Sequence, residues 1–159
     1  SIANHLTDEI RRQHQDGVFV EGWALYGEEM LMRTGLYPDN SAAQGQILRL
    51  SRYRGARIGV DVNLHTGRWT FEQAVNYFME AGGLDREAAQ GEAAGAASSP
   101  HQKISYIVGK WQIMNLHGRY KDKQGENFRM VQFHDHPSKT GSRPLPVLQW
   151  LLLDGPHSL

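Results

Sequence analysis

The chain is 159 residues long, 40% hydrophobic and 21% charged. That is the composition of a folded domain, not of a disordered tail or a fibrous repeat. It has no cysteine, which excludes a disulfide framework and thiolate metal sites. Lys+Arg and Asp+Glu both number 17; without an excess of positive charge to neutralise phosphates, nucleic acid is not an expected partner.

No apolar run approaches the ~20 residues that a membrane span needs. Ser1-Ile2-Ala3-Asn4 carries no basic segment or cleavage site of a signal peptide. The 8 histidines are the one oddity of composition, and imidazole is a common metal ligand. No repeat or low-complexity linker divides the chain, so a single helical domain is expected over residues 1–159.

The apolar spacing is helical almost throughout, and no segment keeps the strict alternation of a strand. Ile2 to His14 reads as a polar helix broken at Gly17. Val18 to Thr34 reads as a second, with Gly35 placed for a left-handed C-terminal cap. Leu36 to Asn40 is a turn, and Asn40 or Ser41 caps a helix from about Ala42 to Leu64. Gly45, Gly55 and Gly59 inside it imply close packing, since each costs about 1 kcal/mol against Ala.

Thr70-Phe71-Glu72-Gln73 spells a capping box for a helix to Glu80, ended by Gly82-Gly83. Asp85 to Ala97 is Ala-rich, with one polar face. Ser98-Ser99-Pro100 is expected to start a helix reaching His117 or Tyr120. Lys121 to Gly125 reads as a polar loop and Glu126 to His134 as a short helix. Pro144-Leu145-Pro146 opens the last. The fold class is therefore all-α, an irregular multi-helix bundle.

Four groups of residues could carry chemistry. Glu21 sits inside the apolar run Val18-Phe19-Val20…Trp23, where a carboxylate is costly unless paired or metal-bound. Glu28 is seven residues on and shares its helix face. A helix-start carboxylate favoured by the macrodipole is the plainer alternative. Arg57, Asp61 and His65 recur every four residues on one helix stripe, so Asp61 could bridge the other two, orienting the imidazole; a solvated salt-bridge ladder is the common alternative. Tyr106 offers a hydroxyl for a core hydrogen bond or for a developing oxyanion. His134 and His136 flank Asp135, but neighbours on a helix point different ways, which favours a lone His–Asp pair or helix-end charge contacts over a metal site. No HExxH, nucleophile elbow or phosphate loop is present.

Taken in order, these motifs closely resemble the bacterial family known as domain of unknown function 885. The resemblance is carried by Glu21-Gly22-Trp23-Ala24-Leu25-Tyr26, by Arg57 and Asp61 with Leu64-His65, and by Trp69-Thr70 with Gln73-Ala74. It continues through Pro100, Gln102, Ser105-Tyr106 and Gly109 to Phe133-His134-Asp135, Gly141 and Pro144-Leu145. His101 stands where the family often has Gly, and Asn63 and Arg68 also depart from its commonest pattern.

The family is similar to the gluzincin zinc peptidases. The resemblance implies a larger gluzincin-like helical fold in which an HExxH-like helix gives two His ligands and a base Glu. The third zinc ligand is the Glu of the EGWALY motif, which is Glu21 here. Tyr106 and His65 would line the cleft as oxyanion or substrate-orienting donors, and Arg57 and Asp61 would support His65. Zinc with three protein ligands keeps a place for water and lowers its pKa toward ~7.

The sequence opens on Ser1 and holds no HExxH, so it is expected to be the C-terminal part of a zinc-dependent peptidase. As such it would be inactive and without stably bound zinc on its own, its partners being a peptide substrate and the missing N-terminal part. An apolar patch around Trp23 and Tyr26 is then expected, with self-association as one way to cover it. The competing expectation is a non-catalytic helical binding or structural module on the same fold. The resemblance is compatible with a soluble protein of the cytoplasm or an exported one.

Overall fold

The structure, a computed structural model, describes Glu9, Gln13 and residues 15–155. Those residues form seven α-helices and no strand: α1 Gly17–Arg33, α2 Ser41–His65, α3 Phe71–Glu80, α4 Arg86–Ser98, α5 Ser105–Gln124, α6 Met130–Thr140 and α7 Leu145–Gln149. A 3-10 turn, Gly125–Asn127, precedes α6, and a π turn, Trp150–Asp154, follows α7. The fold is all-α. Of the expected helix Ile2–His14, Glu9 and Gln13 are helical and the rest lies outside the described residues. None of the described helices is long and apolar enough to cross a membrane.

The chain divides into two compact units, residues 27–107 and residues 1–26 with 108–159. In the first, α2, α3 and α4 close around Ala56, Val60, Ala74, Val75, Phe78, Ala89, Ala93 and Ala96. Small residues on α4 let it lie close, and its buried Ala89, Ala93 and Ala96 repeat at helical spacing. The helix ends follow the sequence. Gly35 adopts φ +88, and the Leu36 N–H reaches Leu31 O at 3.0 Å, a Schellman-type stop. Asn40 caps α2 through Ala43 N–H, and Asp85 caps α4 through Ala88 N–H. The Thr70–Gln73 box is closed in both directions. Of the three glycines expected to mark close packing, only Gly59 does. A Cβ there would meet the Tyr77 ring at 3.1 Å, whereas Gly45 and Gly55 face open space.

In the second unit the buried side chains are Phe19, Leu25 and Tyr26 of α1, Ile113, Leu116 and Tyr120 of α5, Phe133 of α6, and Leu145, Leu148 and Leu152; the Tyr120 and Phe133 rings are 5.8 Å apart. Gly17 does not break the chain but opens α1, because Asp16 Oδ1 accepts the Phe19 N–H at 2.7 Å as an N-cap would. α1 and α5 cross backbone to backbone at Gly22 and Gly109. A Cβ on Gly22 would stand 2.3 Å from Gly109 C, and one on Gly109 2.1 Å from Val18 O.

Four further expectations need correction. Pro100 does not start a helix: residues 99–104 form turns and α5 begins at Ser105, because His101 takes a left-handed φ of +60. Residues 121–124 are helix, not loop; Lys123 donates to Leu153 O at 2.5 Å, which ties the end of α5 to the last turn. The helix expected over Glu126–His134 starts later, at Met130, and ends at Thr140. Finally, Trp23 and Tyr26 form no exposed patch. Tyr26 is buried, and Trp23 is half-buried against Phe19, Phe133 and His134. The exposed large apolar side chains of that unit include Trp111, Met114, Val147 and Trp150.

Candidate functional site

On α1, Phe19, Trp23 and Tyr26 share one face, with ring centroids 5.6 and 5.5 Å apart along the row. Glu21 is two residues beyond Phe19, about 200° around the helix, and so leaves from a different face. It is half-buried, and its carboxylate has no hydrogen-bond or ion-pair partner among the described residues. Glu28 differs: Arg54 grips it with Nη1–Oε2 at 2.6 Å and Nη2–Oε1 at 3.3 Å. That carboxylate is committed to a structural pair. Among the described residues no group of three His, Asp or Glu side chains is placed to hold a metal ion. A carboxylate without a protein partner is the kind of group that can take one ligand position of a metal ion.

The Arg57–Asp61–His65 stripe forms on α2, but not as an internal bridge. Arg57 turns to Glu92, with Nε–Oε2 and Nη2–Oε1 both at 3.1 Å, and donates to the Tyr53 hydroxyl. Its guanidinium lies over the Tyr53 ring at 4.4 Å and the Tyr106 ring at 5.3 Å. Asp61 Oδ1 accepts the His101 N–H at 3.0 Å and lies 3.8 Å from His65 Nε2, too far for a hydrogen bond. His65 Nε2 instead meets Ala96 O at 3.0 Å. A carbonyl only accepts, so that nitrogen carries the proton and Nδ1 is the free one in the neutral ring. The stripe holds the α4–α5 connection, and Asp61 does not orient His65 through a direct hydrogen bond.

Burial works against the Glu92 carboxylate, but hydrogen bonds from Arg57 and Tyr53 outweigh it and hold its pKa below the usual carboxylate value. Burial likewise opposes the Arg57 cation, and Glu92 more than compensates. Burial and a hydrogen bond to Glu92 push the Tyr53 phenol up to about 12, against the pull of the Arg57 charge. Glu92 also lies 3.7 Å from Lys103 Nζ. Nothing in the local sequence points to this role, since Glu92 sits in an Ala-rich helix and reads as solvated. Its one signal is that it is flanked by small residues on a helix that buries its alanines. A groove of about 480 Å³ runs beside it, lined by Arg49, Tyr53, Leu84 and Glu92 among others.

The Phe133-His134-Asp135-His136 run lies on α6, with its side chains spread around the helix. His134 Nε2 and the Tyr26 hydroxyl are hydrogen-bonded at 3.0 Å. Asp135 reaches out to Lys139 at 3.6 Å, and His136 packs edge-on to Tyr120. His117, from α5, is wedged edge-on against Phe128 and Phe133, and its Nε2 is buried with no partner among the described residues. Burial holds all three histidines below the ordinary imidazole value. His134 and Lys121 add to this for His117, and Lys139 adds to it for His136; Asp135 opposes it at His134 and His136. These rings are part of an aromatic core.

An all-α chain with the EGWALY motif on α1 and the Ser105-Tyr106…Gly109 motif opening α5 defines the class. Residues 1–152 match the family described as bacterial protein of unknown function (DUF885), and the chain belongs to that family. Two solved structures are similar. One, a "putative lipoprotein" from Colwellia psychrerythraea, has 31% identity and a TM-score of 0.83, covering 88% of this chain and 24% of that one. The other, from Shewanella oneidensis, bears the same description with function unknown; it has 26% identity and a TM-score of 0.85, covering 96% and 28%. The chain thus spans about a quarter of the length of these solved relatives. No curated protein matches it.

Proposed function

We propose that this chain forms part of a zinc-dependent peptidase of gluzincin type, in which Glu21 supplies one carboxylate ligand and Tyr106 and His65 face the peptide. The observation that carries the reading is Glu21 itself. It is a half-buried carboxylate on a helix otherwise rich in apolar side chains, and it has no partner among the described residues. Glu28 on the same helix is neutralised by Arg54. A carboxylate left unpaired beside apolar surface is costly, and a cation relieves that cost. When bound, zinc would polarise the scissile carbonyl and acidify a water.

This chain's own residues contribute placement. The Tyr106 hydroxyl has no partner among the described residues, while its ring is held against Arg57. That leaves an O–H free to donate to a carbonyl oxygen. His65 is anchored through Nε2, so Nδ1 is the atom that would meet substrate. The test is hydrolysis of a mixed peptide library by the full-length protein, with and without a chelator. The reading predicts cleavage that chelation abolishes and that E21Q lacks. An absence of cleavage with zinc supplied would favour a non-catalytic helical module instead.

A further inference from the structure

We propose that Arg57, Asp61 and His65 are positioning residues that present Tyr106 by clamping residues 96–106 along one stripe of α2; the functional half of this rests on the peptidase reading. The three side chains make three rungs. His65 donates to Ala96 O, Asp61 accepts the His101 N–H, and Arg57 lies over the Tyr106 ring. Steps of four on α2 pair with steps of five on the other segment, in antiparallel order. The stripe therefore pins both ends and the middle of the α4–α5 connection.

The middle rung holds a strained residue. His101 is at φ +60, a conformation that survives when its surroundings enforce it. Asp61 is 4% exposed, and Oδ2 has no partner among the described residues. A buried carboxylate with one idle oxygen is a poor choice for packing alone. The top rung is braced from behind, because Glu92 and Tyr53 fix the guanidinium that meets Tyr106. Ser105 transmits the turn's position to Tyr106: its hydroxyl donates to Gln102 O at 2.6 Å and its N–H to the same oxygen at 3.3 Å. The Tyr106 ring lies over the Arg57 guanidinium, and Tyr106 is only half-buried, so its hydroxyl stays accessible.

The experiment compares wild type, D61A, D61N, Y106F and D61A/Y106F in the full-length protein. In D61A the His101 amide is expected to exchange about tenfold faster or more, as loss of a charge-assisted hydrogen bond implies. D61N, whose amide oxygen still accepts, restores protection. A 19F label on Tyr106 gives one narrow signal in wild type and D61N and a shifted or broadened one in D61A. In peptide hydrolysis, Y106F and D61A each lower kcat with little change in KM, and D61A added to Y106F costs less than about twofold more. Should D61A fail to fold, H65A removes the Ala96 rung; because His65 also faces the peptide in the proposed function, H65A is read by the label alone, not by kinetics.

Unchanged exchange and an unchanged label in D61A, or in H65A, overturn the clamp. Additive kinetic losses overturn its role in placing Tyr106. If wild type cleaves no peptide, the peptidase reading fails separately, and exchange and label still decide the clamp.

Discussion

Asp61 Oδ1 holds the backbone N–H of His101 at 3.0 Å, and His101 is the one non-glycine at positive φ among the described residues. A side chain with a Cβ pays about 1–2 kcal/mol to sit there, and glycine does not. H101G should therefore raise stability by about 1 kcal/mol, seen as a higher urea midpoint with an unchanged slope. An unchanged or lower midpoint would show that the His101 side chain contributes more than its backbone costs.

The crossing of Gly22 with Gly109 admits no side chain on either helix. G22A and G109A should each destabilise by about 3 kcal/mol or more, because backbone must move rather than a flexible tip. G45A and G55A, with open space around them, should be neutral or stabilising by up to about 1 kcal/mol from helix propensity. Thermal melts of the four variants check the contrast; equal losses in all four would contradict it.

Glu92 neutralises a guanidinium that is 9% exposed. E92A leaves Arg57 buried without its carboxylate and should cost about 3 kcal/mol. E87A, on the exposed face of the same helix, should stay within about 0.5 kcal/mol. Denaturant titration of both variants decides; an E92A loss no larger than that of E87A would mean the pair is a solvated one.

His117, His134 and His136 are all held below the ordinary imidazole value, mainly by burial. Phe128, Phe133, Tyr26 and Tyr120 surround them, and Lys121, Asp135 and Lys139 are their charged neighbours. The unfolded chain takes up these protons near pH ~6.5, where the native state still refuses them. Their contribution is complete above that pH and is lost as pH falls through the lowered native values. The urea midpoint should drop between pH 7.5 and 5.5, and H117L should shrink the drop. A midpoint that rises on acidification contradicts this.

The helix ends were legible because caps are local: Asn40, the Thr70–Gln73 box, Asp85 and Gly35 all act within a few residues. Pro100 misled for the same reason. It is a fair helix starter locally, but the left-handed His101 next to it, held by a residue forty positions away, rules the helix out. Arg57, Asp61 and His65 did share a stripe, yet their partners Glu92, His101 and Ala96 come from a distant segment that spacing cannot reveal. The Gly22–Gly109 crossing lay within the motifs without announcing itself, since a glycine's value there depends on a backbone brought near by folding.

Glu21 carries the functional account, and its metal is the most direct test. Zinc measured by elemental analysis on the purified full-length protein should come to about one per chain, the number a single three-ligand site holds. It should fall sharply in E21Q while E28Q keeps it, because Glu28 is already committed to Arg54. Wild-type protein that binds no zinc, or an E21Q variant that retains it, would contradict the assignment.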